Sequence, residues 1–256
     1  IFPDYVSKRT NTIASGVVIK SNDSIYPCAV PDLGCSFHVV ELDGVSKEDL
    51  YKAPGLFEEL NLLLAGEKEA NSFDCDNLDF VKQMMLYGHD STANLFSDDR
   101  KKHYENNGRY EIDSSIPLSE AIFPSEKNVN KLNKYQGHFL EILAPSNINE
   151  KKVYLLIHSG CHMLADNFMM KYYPEFAKLS YIKQWSDKEQ VIAGKFRIKT
   201  GYGYEKTYFN DVNGLLNFAI AYRDIIEYRV VKLIKSLLGV NINAKLLSDY
   251  SHTKIS

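Results

Sequence analysis

An aspartate and a cysteine three residues apart, Asp32 and Cys35 in VPDLGC, follow an apolar, strand-like run. Two histidines stand beside similar runs further on, His138 in GHFLEI and His158 in LLIHSG, and a third, His252 in SDYSHT, sits four residues from the end. Carboxylate, thiolate and imidazole are donors that hold a divalent cation, and a cation within reach would keep Cys35 as the thiolate. Each residue alone has a plainer reading. Asp32 closes a turn and Cys35 acts as a small buried hydrophobe. A His at a strand end is a satisfied structural residue, and one near a terminus is exposed. The chemistry requires the five to converge.

The remaining histidines, His38, His89, His103 and His162, carry less weight. His158 and His162 have helical ligand spacing, but Ser159–Gly160 between them reads as a turn. Ser159 next to His158 is no catalytic dyad, because neighbours on a strand point to opposite faces. Walker, GxGxxG, GxSxG and HExxH patterns are all absent.

Strands must carry most of the candidates. Residues 12–20 and 24–30 read as strands around polar turns, and 37–42 continues as a strand after the Asp-Leu-Gly-Cys bend. Residues 137–143 and 152–158 form a hairpin or meander joined by APSNINEK. Residues 191–200 alternate as a further strand before GYGY. Helical spacing marks 46–65, interrupted at Pro54–Gly55, then 79–87 and 165–178. A long helix runs from an N-cap at Asp211 to about Leu238, with apolar residues on nearly all faces, so it belongs in the interior. The stretch 88–124, rich in Asp, Ser, Asn and Tyr, reads as a surface insertion in an otherwise single domain spanning 1–256.

At 256 residues, with 45% apolar and 25% charged side chains, the chain has the composition of a soluble globular protein. No apolar run spans a bilayer, no signal-peptide pattern opens the chain, and no membrane partner is expected. Four cysteines without a CxxC pair fit a reducing, cytoplasmic location rather than a disulfide framework. A net charge of −3 argues against a surface that grips nucleic acid everywhere, but leaves room for a local basic channel. Lys8–Arg9, Arg100–Lys102 and Lys195–Lys199 are the clusters, each read as a solvated face. Periodicity supports a mixed α and β protein with a strand-rich N-terminal part.

The run SGVVIKSNDSIYPCAVPDLGC resembles the segment of RtcB-type RNA ligases that ends in an Asp-x-x-Cys metal turn. GHFLEI resembles that family's Asn-His-Phe strand, LLIHSG its His-Ser-Gly strand, and SDYSHT its segment with the last metal-binding His. YFNDVNGLLNFAIAYRDII resembles its long helix, and Pro3–Asp4 the start of its first signature. The likeness runs in order along essentially the whole chain. It implies an α+β, RtcB-like fold with mixed β-sheets around a metal centre and a long buried helix. It also implies two divalent ions, usually Mn²⁺: Asp32, Cys35 and His138 on one, Cys35, His158 and His252 on the other. Zn²⁺ would suit the same donors. In such ligases GTP guanylates a His, and the guanylate activates an RNA 3′-phosphate for attack by a 5′-hydroxyl end. The implied partners are GTP and RNA ends, from tRNA halves in splicing or from cleaved RNA in repair.

Departures from the family pattern fall mostly outside this ligand set. Gly137 stands where the family has Asn, Cys161–His162 where it has Ser-Arg, and Thr253 where it has Asn; YVSKRTN replaces a Gly-Lys-Gly after Pro3–Asp4. The guanylated His of the family lies beyond the last metal ligand, so no catalytic nucleophile is identifiable within 1–256. With Ile at position 1, the chain reads as a fragment or processed form, with a partner chain as one source of that His. Three activities fit: a GTP- and Mn-dependent RNA ligase, a metal- and RNA-end-binding regulatory homologue, or a metal-dependent phosphoesterase.

Overall fold

A computed structural model describes residues 24–25, 33–66, 77–133, 138–146, 151–161, 163–179, 198–199 and 205–251. Asp32, Gly137, His162, His252, Thr253 and the strand expected at 12–20 lie outside them.

Four strands form the central sheet in the order β3-β4-β2-β6: β2 (Ser36–Asp43), β3 (Phe139–Leu143), β4 (Lys152–Ser159) and β6 (Asn243–Ser251). A second, two-stranded sheet pairs β1 (Ser24–Ile25) with β5 (Ile198–Lys199). All these ladders are antiparallel. The content is therefore α+β, but the described sheets are not mixed. Alternation sets the faces of the central sheet: Ser36, His38, Val40 and Leu42 of β2 and Val153, Leu155, Ile157 and Ser159 of β4 are buried. Phe37 and His158 point to the other face.

Strand β6 obeys this alternation only by breaking it once. Val39 pairs with Ser248 but Val40 pairs with Leu246, leaving Leu247 as the extra residue of a bulge. The bulge puts Leu246 and Asp249, an odd number of residues apart, on the same buried face. Without it, Asp249 would point away from the core.

Helix α1 (Lys47–Lys52) opens on a capping box in which the Ser46 hydroxyl accepts from the Asp49 amide and the Asp49 carboxylate accepts from the Ser46 amide. Pro54–Gly55 ends it, and α2 (Leu56–Leu64) follows. Helices α3 (Leu78–Tyr87) and α4 (Met163–Leu179) match the periodicity closely.

The long helix, α5 (Glu205–Leu238), starts earlier than expected. Asp211 is not its N-cap but a buried residue in its second turn, accepting from the Ser119 amide and the Tyr172 hydroxyl. At 34 residues α5 runs about 51 Å, and it is buried along most of that length.

Its interior is not purely apolar. Asn210, Asn217 and Asp224, spaced by seven, lie on one stripe facing residues 85–119. That stretch is short 3₁₀ turns and irregular chain after the end of α3, and its backbone has no ladder of its own. Asn210 accepts from the Asp113 amide and donates to the Ile116 carbonyl. Asn217 accepts from the Tyr110 amide and donates to the Tyr110 and Met85 carbonyls. The stripe satisfies backbone groups that would otherwise be buried unpaired.

Candidate metal centre

Three of the five expected ligands are described, and they meet at one end of the central sheet. Cys35 precedes β2, His138 precedes β3 and His158 is the penultimate residue of β4. The ladders place Phe37 and Phe139 on either side of His158. The Cys35 Sγ lies 3.5 Å from His138 Nε2, and the His138 and His158 rings meet edge-on with centroids 5.6 Å apart. Stacking on Phe37 at 4.9 Å and contact with Phe139 at 4.7 Å fix the plane of His158. Ser251, the last residue of β6, pairs with Ser36, so the chain reaches this end of the sheet one residue before His252.

One glycine lets α5 approach the turn before Cys35, and another makes room for the thiol. Gly34 holds a left-handed φ of 74°, and a Cβ there would stand 2.8 Å from Ala219 Cβ. At Gly160 a Cβ would stand 2.6 Å from Cys35 Sγ and 3.1 Å from the Cys35 amide nitrogen. The donor set fits a first-row divalent cation: a thiol sulfur and an imidazole nitrogen at 3.5 Å are separated as two ligands of one ion would be. The neighbouring Cys161 is a different kind of cysteine. Burial, then the proximity of Cys35, pushes its thiol well above the usual range, and it donates to the Leu215 carbonyl.

Behind these residues lies a buried ion network that the sequence did not advertise. Arg223 Nη1 donates to the Gly34 carbonyl at 2.8 Å and to the Ser159 carbonyl at 2.9 Å, while its Nε and Nη2 donate to Asp249. Asp249 also accepts from Ser36 Oγ and His38 Nδ1, each at 2.7 Å. His38 Nε2 and Arg100 Nη1 both reach Glu227 Oε2, at 2.8 and 2.7 Å. Asp224 completes the network by accepting from Thr92, His89 and the Tyr104 hydroxyl. Arg100, expected on a solvated basic face, is instead buried and stacked on Phe96.

His38, Asp224 and Glu227 offer ligand atoms within 4.8 Å of one another. The hydrogen bonds argue against a cation there. Burial alone would lower the pKa of His38, but the bonds to Asp249 and Glu227 and their charges outweigh it, raising it to about 9. An imidazolium bonded through both nitrogens has no lone pair to give. His38, Arg100 and Arg223 instead pair with Glu227 and Asp249. His38 and His89, given little weight in the sequence, are the histidines that build this network; the polar residues at helical spacing in α5 were the available signal.

A thiol and imidazoles gathered at the end of an antiparallel sheet are donors of the class that could hold a transition-metal ion. A profile of the tRNA-splicing ligase RtcB matches residues 1–256, the whole of the sequence, and the chain belongs to this family of RNA ligases. No curated protein matches the sequence. No helix among the described residues is long and apolar enough to cross a membrane.

Proposed function

We propose that this protein is a GTP- and Mn²⁺-dependent RNA ligase that joins an RNA 3′-phosphate or 2′,3′-cyclic phosphate to a 5′-hydroxyl end. The observation that carries this reading is the 3.5 Å approach of Cys35 Sγ to His138 Nε2, with His158 edge-on beside them, in a chain of the RtcB family. Cys35, His138 and His158, together with Asp32 and His252, would hold the divalent ions. Such ions supply charge stabilisation to a phosphoryl transfer. The chain's own part is to present a thiol in a nearly dry site and to hold the His158 ring between Phe37 and Phe139. The mixed donors would also accept Zn²⁺, so the metal is to be read from the purified protein.

The test is mass spectrometry of the full-length protein after incubation with GTP and Mn²⁺. A GMP adduct on a His is expected; no adduct on the full-length protein would sink the ligase reading.

A second reading, a metal- and RNA-end-binding homologue that does not ligate, is favoured by Cys161. It stands where the family has Ser, and its thiol is buried against the Leu215 carbonyl rather than turned to a substrate. Under that reading RNA with a 3′-phosphate shifts in a gel more strongly than RNA with a 3′-hydroxyl, with no joining. Equal binding of both ends counts against it.

A further inference from the structure

We infer that Arg223 is the positioning residue of the metal centre, an inference that rests on the metal-binding reading above. Arg223 is fully buried on α5. It reaches the backbone beside Cys35 and His158. One nitrogen, Nη1, bridges the carbonyl of Gly34, which forms the peptide bond to Cys35, and the carbonyl of Ser159, which follows His158. The other edge of the guanidinium forks onto Asp249, three residues before His252. A single rigid plane thus joins β2, β4 and β6 at the end of the sheet where the ligands gather.

This geometry sets a distance rather than merely adding stability. The four bonds leave from a planar group whose N–H directions are fixed relative to one another. Gly34 and Ser159 cannot separate without breaking one of two bonds to the same nitrogen, so the Cys35 and His158 segments stay in register. Asp249 is itself fixed by Ser36 and His38. A lysine, with a point charge and no fork, cannot bridge both carbonyls and the carboxylate at once.

Arg100 provides the internal control. It is an equally buried arginine in the same ion network, bonded to Glu227 and Asp98, but among the described residues it makes no bond to the strands that carry the ligands. A purely stabilising role predicts that the two arginines behave alike.

The experiment measures Mn²⁺ affinity by titration calorimetry, and thermal unfolding of the metal-free form, for the full-length protein and its Cys35→Ala, Arg223→Lys and Arg100→Lys variants. Arg223→Lys is expected to weaken Mn²⁺ about ten- to hundredfold, as changes behind metal ligands do, while Arg100→Lys leaves the affinity near wild type at a comparable loss of Tm. Equal Mn²⁺ affinity in the two lysine variants overturns the inference. Wild-type affinity in Cys35→Ala overturns the metal-binding reading and this inference with it. Loss in Cys35→Ala but not in Arg223→Lys overturns the inference alone. Should Arg223→Lys fail to fold, Ser36→Ala removes one donor to Asp249 and is expected to weaken Mn²⁺ severalfold; unchanged affinity there overturns the inference too.

Discussion

Arg223 and Asp249 meet in a two-bond fork, Nε to Oδ2 and Nη2 to Oδ1, both at 2.8 Å and both side chains out of water. Removing one partner leaves the other charge buried without its counterion. Asp249→Ala is therefore expected to lower the unfolding free energy by about 3–5 kcal/mol in a denaturant titration. A loss under about 1 kcal/mol would mean the fork behaves like an exposed pair.

The network also makes stability depend on pH in a defined window. His38 has a folded pKa of about 9 against an ordinary 6.5, so its contribution is complete below pH 6.5 and drains as pH rises through about 9. Burial alone would raise the pKa of Asp249, but the Arg223 charge and the His38 hydrogen bond hold its carboxyl well below the usual range. Its contribution is complete above the ordinary value of 3.8 and lost only as pH falls below it towards the folded value. Stability from the pair should peak between those limits and fall by roughly 3 kcal/mol between pH 6.5 and 9. Denaturant midpoints across that range check it, and His38→Gln should flatten the slope.

Gly160→Ala tests the space beside the thiol. The added methyl would meet Cys35 Sγ at 2.6 Å and, on its other sides, the backbone at Cys35 N and Leu33 O, which cannot swing away. A stability loss of about 1–3 kcal/mol is expected. Bound metal, measured by elemental analysis, should fall with it.

Asn217→Ala should loosen a distant part of the chain. It would orphan the Tyr110 amide and the carbonyls of Tyr110 and Met85. The expected cost is about 1–3 kcal/mol, with faster hydrogen exchange at the Tyr110 amide. Unchanged exchange there would show that the loop does not depend on α5.

Metal should stabilise the fold by mass action. Mn²⁺ at a hundred times its Kd is expected to add about 2.7 kcal/mol, and Cys35→Ala to abolish the increment. A wild-type Tm that ignores both Mn²⁺ and chelator would contradict a resident ion.

The apolar periodicities were legible: the break at Pro54–Gly55, the strand pair at 139–143 and 152–159, and the buried character of α5 all follow from spacing. Strand β6 was not, because the bulge at Leu247 breaks the alternation by which a strand is read. Asp211 read as a cap because Asp prefers helix starts; a tertiary partner, Tyr172, holds it inside instead. Cys35, His138 and His158 could be named from their neighbours in sequence. His38 and Arg100 could not, since what gives them their roles is charge brought from Asp249 and Glu227, far along the chain.

The separations in this network have a temporal meaning. Cys35 and His138 are 103 positions apart, and Ser36 and Asp249 are 213 apart. A ribosome delivers the thiol early but the Asp249 carboxylate only when β6 emerges, nearly the whole sequence later. Until then Arg223 lacks the Asp249 carboxylate, and the β2–β4 ladder with the two carbonyl bonds of Arg223 holds the sheet end without β6. Of the four strands at the sheet end that gathers the thiol and imidazoles, β6 is therefore the last to be made, and with it comes the carboxylate that fixes Arg223 beside Gly34 and Ser159.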